Sequence, residues 1–89
     1  MSLDVNWRLE IESQVYKNLK KLPKSNIQRI LTTIEKLPEN PYAGDIQKMA
    51  GETNVWRRRV GEYRVFYEIL TEEKIIHVFH VERRTSKTY

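Results

Sequence analysis

The chain has 89 residues, no cysteine, and 16 lysines and arginines against 12 acidic residues, for a net charge of +4. That length fits one domain over residues 1–89, and the missing cysteines exclude a disulfide framework or a cysteine-based zinc site. No stretch approaches the roughly 20 apolar residues of a membrane span, and the opening Met-Ser-Leu-Asp-Val-Asn-Trp-Arg-Leu-Glu lacks the apolar core of a signal peptide, so a cytoplasmic protein without membrane attachment is expected.

Leu3, Val5 and Trp7 alternate with polar neighbours, which predicts a short first strand. Ile11, Val15, Leu19 and Leu22 then fall at helical spacing, giving an amphipathic helix that stops before Pro23. Its lysines, Lys17, Lys20 and Lys21, read as a solvated face, with nucleic-acid contact as the alternative. Ser25 is the expected N-cap of a second helix. Ile27, Ile30, Leu31, Ile34 and Leu37 form its apolar face, and Pro38 ends it. So short a connection makes the two helices an antiparallel hairpin.

A loop is expected from Glu39 to Asn54, after which the period changes to two. Val55–Val60, Tyr63–Leu70 and Lys74–Val81 read as strands, joined by Gly61-Glu62 and by Thr71-Glu72-Glu73. Glycine at the first central position suits a type II′ turn. The predicted fold is α+β, with the order β-α-α-β-β-β. The helical hairpin covers one face of a mainly antiparallel four-stranded sheet.

Six of the eight arginines lie beyond residue 56. With Gly61-Glu62 as the turn, Arg59 opposes Arg64 and Arg57 opposes Phe66. Alternation places Trp56, Val60, Tyr63, Val65, Tyr67 and Ile69 on the core face. The other face carries Arg57, Arg59, Arg64 and Phe66. Like charges directly opposite each other cost about 0.2–1 kcal/mol. A local rule broken in this way is expected at a functional site, and a bound anion would resolve it. Arg58 falls on the apolar face, so it must reach the sheet edge for a carboxylate, or the turn is displaced by one residue. His77 and His80 are three apart, which puts them on opposite faces of a regular strand and argues against a metal pair. The tail from Glu82 to Tyr89 is basic and ends in an aromatic ring. Arginines beside an aromatic suit single-stranded RNA: guanidiniums for phosphates, a ring for a base.

The run Trp56-Arg-Arg-Arg-Val-Gly-Glu-Tyr-Arg-Val-Phe-Tyr-Glu-Ile69 resembles the signature hairpin of the RelE/ParE toxin superfamily. The Lys-Leu-Pro upstream, the Asn40-Pro41 after the second helix and the basic tail ending in tyrosine match it too. The resemblance implies the toxin of a type II toxin–antitoxin system. In the RelE branch it implies a metal-independent endoribonuclease that cuts messenger RNA on the ribosome, by attack of a 2′-hydroxyl on the adjacent phosphate, with no cofactor. Arg59, Arg64, Arg84 and Tyr89 then fall on catalytic positions. Arg64 and Arg84 would stabilise the transition-state charge, Arg59 and Arg57 would position the phosphate, and Tyr89 would be general base or stacking platform. Arg57, Arg83, Lys87 and Phe66 become RNA-binding residues. The implied partners are a cognate antitoxin, messenger RNA on the ribosome and 16S ribosomal RNA.

Two features depart from the family pattern. Its lysine-type positions are arginines here, and arginine cannot exchange a proton. The Arg84–Tyr89 interval also differs from the commoner spacing. Two alternatives therefore stand beside the nuclease: a ParE-like, non-catalytic inhibitor of DNA gyrase, and a degenerate member that only binds antitoxin or RNA.

Overall fold

The computed structural model describes residues 7–84. Leu3 and Val5 of the predicted first strand, and Lys87 and Tyr89 of the predicted site, lie outside them. The elements are β1 (Arg8–Ile11), α1 (Ser13–Leu19), α2 (Lys24–Lys36), β2 (Ile46–Lys48), β3 (Val55–Val60), β4 (Tyr63–Leu70) and β5 (Ile75–Arg83). They build an α+β fold with one five-stranded sheet in the order β1-β5-β4-β3-β2. Only the β1–β5 pair is parallel.

Strands β3 and β4 form where the period-two pattern predicts them, with the predicted register of Val60 on Tyr63 and Arg59 on Arg64. Gly61 has φ +59° while Glu62 keeps a negative φ, as a type II′ turn requires. Several local expectations differ, among them β5, which runs over Ile75–Arg83 where a strand over Lys74–Val81 was expected. The first strand runs over Arg8–Ile11, because its pairing with β5 begins at Arg8 opposite Ile75. Ile11 accordingly belongs to the strand, and α1 is shorter than its apolar spacing suggests. Helix α2 starts two residues early, and Pro23, not Ser25, is its N-cap. The Pro23 carbonyl accepts hydrogen bonds from the Asn26 and Ile27 amides, both at 3.0 Å, closing the first turn without a side-chain cap. Finally, β2 arises within the segment expected to be a loop, so the sheet has five strands rather than four.

Strand β2 is three residues long, and Gln47 and Lys48 are exposed. It forms because the edge of β3 offers unpaired backbone groups, an example of tertiary context overriding weak local preference.

The core lies between the helices and one sheet face. Val15 and Leu19 of α1, with Ile30 and Ile34 of α2, meet Val65, Tyr67, Ile76 and Val78. The helices leave the opposite face of the sheet bare. Tyr67 is wholly buried and donates its hydroxyl to the Pro41 carbonyl at 2.9 Å. Burial pushes its phenol up to about 12, so it remains a donor at any ordinary pH. Tyr63, also buried, accepts a hydrogen bond at 3.0 Å from the Asn26 side chain. Trp56 is half-buried, edge-on to Tyr42 at 5.6 Å. All three rings therefore serve packing, as their positions in the pattern suggest.

The histidines correct simple alternation. Phe66 pairs with His80 but Tyr67 pairs with Val78, so Phe79 is an extra residue in β5. This bulge rotates the strand by one position. His77 and His80 thus share the bare face, opposite Glu68 and Phe66.

His77 is held at both ring nitrogens, by Glu68 through Nδ1 at 2.9 Å and by Glu12 through Nε2 at 2.8 Å. Only an imidazolium can donate to both. The Glu68 hydrogen bond is the main cause that raises the His77 pKa above 6.5. Partial burial opposes it, and Glu12 adds to the rise. The clamp ties β5 to β4 and to the β1–α1 junction. A folded pKa above the unfolded one stabilises the protein at low pH. The contribution is complete below about pH 6.5 and fades as the pH climbs through the raised folded value. Urea midpoints measured from pH 5.5 to 9 should fall over that window, and His77→Gln should flatten the trend.

Candidate functional site

The bare face becomes concave at the end of β3 and β4. A cleft of about 200 Å³ there is lined by Arg57, Arg59, Arg64 and Arg84, with Asp45 and Gln47 as its far wall. Each side chain arrives for a local reason. Arg57 and Arg59 are alternate residues of β3 and so point the same way. Arg64 stands directly across from Arg59. Arg84 follows β5, where its amide donates to the Glu62 carbonyl at 2.5 Å, fixing the backbone against the β3–β4 turn. Asp45 and Gln47 come from β2 and the residue before it. The Asp45 carbonyl accepts the Arg59 amide at 2.9 Å.

Each member of the like-charge pair has a carboxylate partner within the protein. Arg59 leans to Asp45 at 3.9 Å, and Arg64 leans the other way to Glu82 at 3.3 Å. Two carboxylates therefore draw the guanidiniums apart and leave the cleft between them. Arg57 donates to the Gln47 side-chain oxygen. Four arginines thus face one aspartate in the lining, so the cleft is strongly electropositive.

Exposure separates the arginines. The Arg64 side chain is 32% exposed and the Arg59 side chain 51%. An exposed pair at the distance of Arg59–Asp45 contributes about 0–1 kcal/mol and exchanges readily for a phosphate. Arg64 sits deeper and better oriented, so charge arising beside it is screened less. Glu82 accepts from Arg64 on one oxygen and lies 3.3 Å from His80 Nε2 on the other. The His80 ring is 5.4 Å from Phe66, which is 6.4 Å from Phe79. An aromatic strip therefore runs along the bare face beside the cleft.

Of the residues singled out in the sequence, Arg57, Arg59, Arg64 and Arg84 come together. Phe66 shares their face without lining the cleft. Arg83 points elsewhere: it pairs with Glu62 at 3.1 Å, in a depression with Asn26 and Tyr63. Arg58 does reach the sheet edge, but its partner is the Ala43 carbonyl at 3.2 Å and not a carboxylate. Gly44 makes that possible. A Cβ there would lie 2.4 Å from the Arg58 guanidinium carbon, and its φ is +88°.

Sequence reasoning missed Asp45, Gln47 and Glu82. Glu82 was within reach of the register, since it pairs with Arg64 across β4 and β5. Asp45 and Gln47 were not, because nothing local marks β2. Among the described residues, no group of three or more His, Cys, Asp or Glu side chains is arranged to hold a metal ion, and no helix is long and apolar enough to cross a membrane.

Two helices thus pack on one sheet face, and four arginines converge on the other. The family model described as the ParE toxin of the type II system parDE matches residues 7–87. A curated protein of Methanocaldococcus jannaschii named "Putative toxin RelE1" is 36% identical over 83 residues, which cover 90% of this chain and 92% of that protein. Two solved structures are similar throughout. The archaeal RelE–RelB complex from Pyrococcus horikoshii OT3 superposes with a TM-score of 0.79 at 30% identity, over 93% of this chain and 100% of that one. The RelB–RelE antitoxin–toxin complex from Methanococcus jannaschii gives 0.72 at 28% identity, over 86% and 92%. The chain belongs to the RelE/ParE toxin family of type II toxin–antitoxin systems, and RelE toxins are its structural neighbours.

Proposed function

We propose that this toxin is an endoribonuclease that cuts messenger RNA on the ribosome, with the arginine cleft as its site. The observation that supports this is the convergence of Arg57, Arg59, Arg64 and Arg84 on one concavity. In the reaction, a ribose 2′-oxygen forms a bond to the adjacent phosphorus and the bond from phosphorus to the 5′-oxygen breaks. The 2′-proton leaves to a base, and the 5′-oxygen acquires one. The products are a 2′,3′-cyclic phosphate and a 5′-hydroxyl.

The phosphorus passes through a state with extra negative charge on its oxygens. Preorganised cations are worth most at such a point. Arg64, oriented by Glu82, and Arg84, fixed by its backbone, are placed for that task. Arg59 and Arg57 hold the phosphate in position. Phe66, with His80 beside it, offers a surface on which a neighbouring base can stack. Tyr89 is the proposed general base or stacking platform, and Lys87 and Arg83 are proposed flanking contacts. A cognate antitoxin is the proposed protein partner. It would present acidic groups to the arginine face and thereby close the site.

The alternative of gyrase inhibition draws support from the match to the ParE family model. The two readings separate in one experiment. Purified toxin is added to a translation reaction with a defined message, and 5′ ends are mapped by primer extension with and without ribosomes. A parallel gyrase supercoiling assay uses the same toxin. New 5′ ends only when ribosomes are present, with supercoiling intact, is the expected result.

A further inference from the structure

A second, larger cleft opens on the other side of the β3–β4 turn, between α2 and the end of β3. Its volume is about 610 Å³, and its walls include Arg29, Arg58, Arg59, Ser25 and Thr32. We propose that it binds a second RNA phosphodiester, one that lies beside the phosphate held in the arginine cleft. The proposal rests on the nuclease reading and extends it to the substrate's flank.

Three arginines from two elements line it together with hydroxyl-bearing residues, and no acidic residue is in the lining. Among the described residues, no carboxylate lies within 4 Å of an Arg29 or Arg58 nitrogen, whereas Arg8, Arg59, Arg64 and Arg83 each have one. The Glu62 carboxylate, beyond Gly61, is taken by Arg83. Arg58 is fixed in the wall by the Ala43 carbonyl, and its buried Nε has no protein partner. Gly61 lets Arg29 come close to the turn: its guanidinium nitrogens lie 3.1–3.2 Å from where a Cβ would stand.

The chemistry favours phosphate over a carboxylate. One arginine fork satisfies a planar carboxylate. Several guanidiniums and hydroxyls arranged around a space suit a tetrahedral group with more acceptor oxygens. Continuity favours the same strand. Arg59 lines both clefts, so the two sites share a wall. An RNA crossing the end of β3 would set one phosphate on each side of Arg59.

The test measures binding of fluorescein-labelled 2′-O-methyl RNA to the full chain by anisotropy, over a salt series. The methylated RNA cannot be cut. A trimer and a nonamer of mixed sequence are compared, and the variants are Arg29→Gln, Arg29→Lys and Arg64→Gln. A second arm measures sedimentation of toxin with ribosomes that carry no message. For single strands, each lost phosphate contact lowers the slope of log K against log salt by about 0.7.

The expected result is that Arg29→Gln lowers the nonamer slope by that amount and leaves the trimer unchanged. Arg29→Lys, which keeps the charge, should retain the slope. A loss confined to the ribosome arm also supports an RNA phosphate in the cleft and assigns it to ribosomal RNA. If Arg64→Gln flattens the slopes while Arg29→Gln changes neither arm, the second cleft is overturned and the nuclease site stands. If Arg64→Gln changes nothing either, the nuclease reading itself fails. If Arg29→Gln weakens binding of a labelled decaglutamate peptide but not of RNA, the cleft serves a protein and the proposal is overturned.

Discussion

Arg64→Ala should lower the rate of message cleavage on the ribosome by about 10²–10³-fold, the loss found when one preorganised charge-stabilising donor is removed. Three features single out Arg64. It lies on β4, the central strand of the sheet. Its side chain is the less exposed of the facing arginine pair. Glu82 fixes its guanidinium at 3.3 Å. Stability should change little, because Arg64 is outside the core and its ion pair is partly exposed. Arg64→Lys keeps the charge but not the planar fork, so it should recover only part of the rate. Single-turnover cleavage by purified variants, beside their urea midpoints, separates the two effects. A loss of rate that merely tracked a loss of stability would remove Arg64 from the site.

Tyr67→Ala should unfold the isolated toxin or bring it close to unfolding. Replacing a large buried aromatic by alanine costs about 3–5 kcal/mol, and total stability for such a domain is about 5–15 kcal/mol. The expected value is towards the lower end, since a chain of this size buries only about 60–65% of its unfolded surface. Each kcal/mol shifts Tm by about 4–8 °C at this length. Tyr67→Phe separates packing from polarity. It keeps the ring and leaves the buried Pro41 carbonyl without its donor, at a cost of about 1–3 kcal/mol. Thermal melts of both variants are the measurement. Equal losses for Phe and Ala would mean that the hydrogen bond, and not the ring, anchors the 39–54 segment to the sheet.

The β3–β4 hairpin was legible because its signals agree. Alternation, β-branched and aromatic residues and Gly61 all specify one register, and that register puts Arg57, Arg59 and Arg64 together. Where local signals were weak, the sequence misled. Ile46, Gln47 and Lys48 pair only because β3 presents an edge, so the wall of the cleft was hidden with them. Ser25 has the chemistry of a cap, yet the Pro23 carbonyl closes the first turn of α2. The bulge at Phe79 turns on a single extra residue, and alternation cannot reveal it from β5 alone. The Arg59–Arg64 conflict was legible in that register. Its resolution by Asp45 and Glu82 needed the third dimension.

In the proposed reaction the RNA is cut in the arginine cleft by attack of its own 2′-hydroxyl. Its most direct test is the chemistry of the fragment ends. Fragments from a ribosome reaction would be treated with kinase alone, or with an enzyme that opens 2′,3′-cyclic phosphates, and then sequenced at both ends. The expected fragments carry 5′-hydroxyls that accept a kinase label and 3′ ends blocked until the cyclic phosphate is opened. Fragments with 5′-phosphates and free 3′-hydroxyls would contradict it.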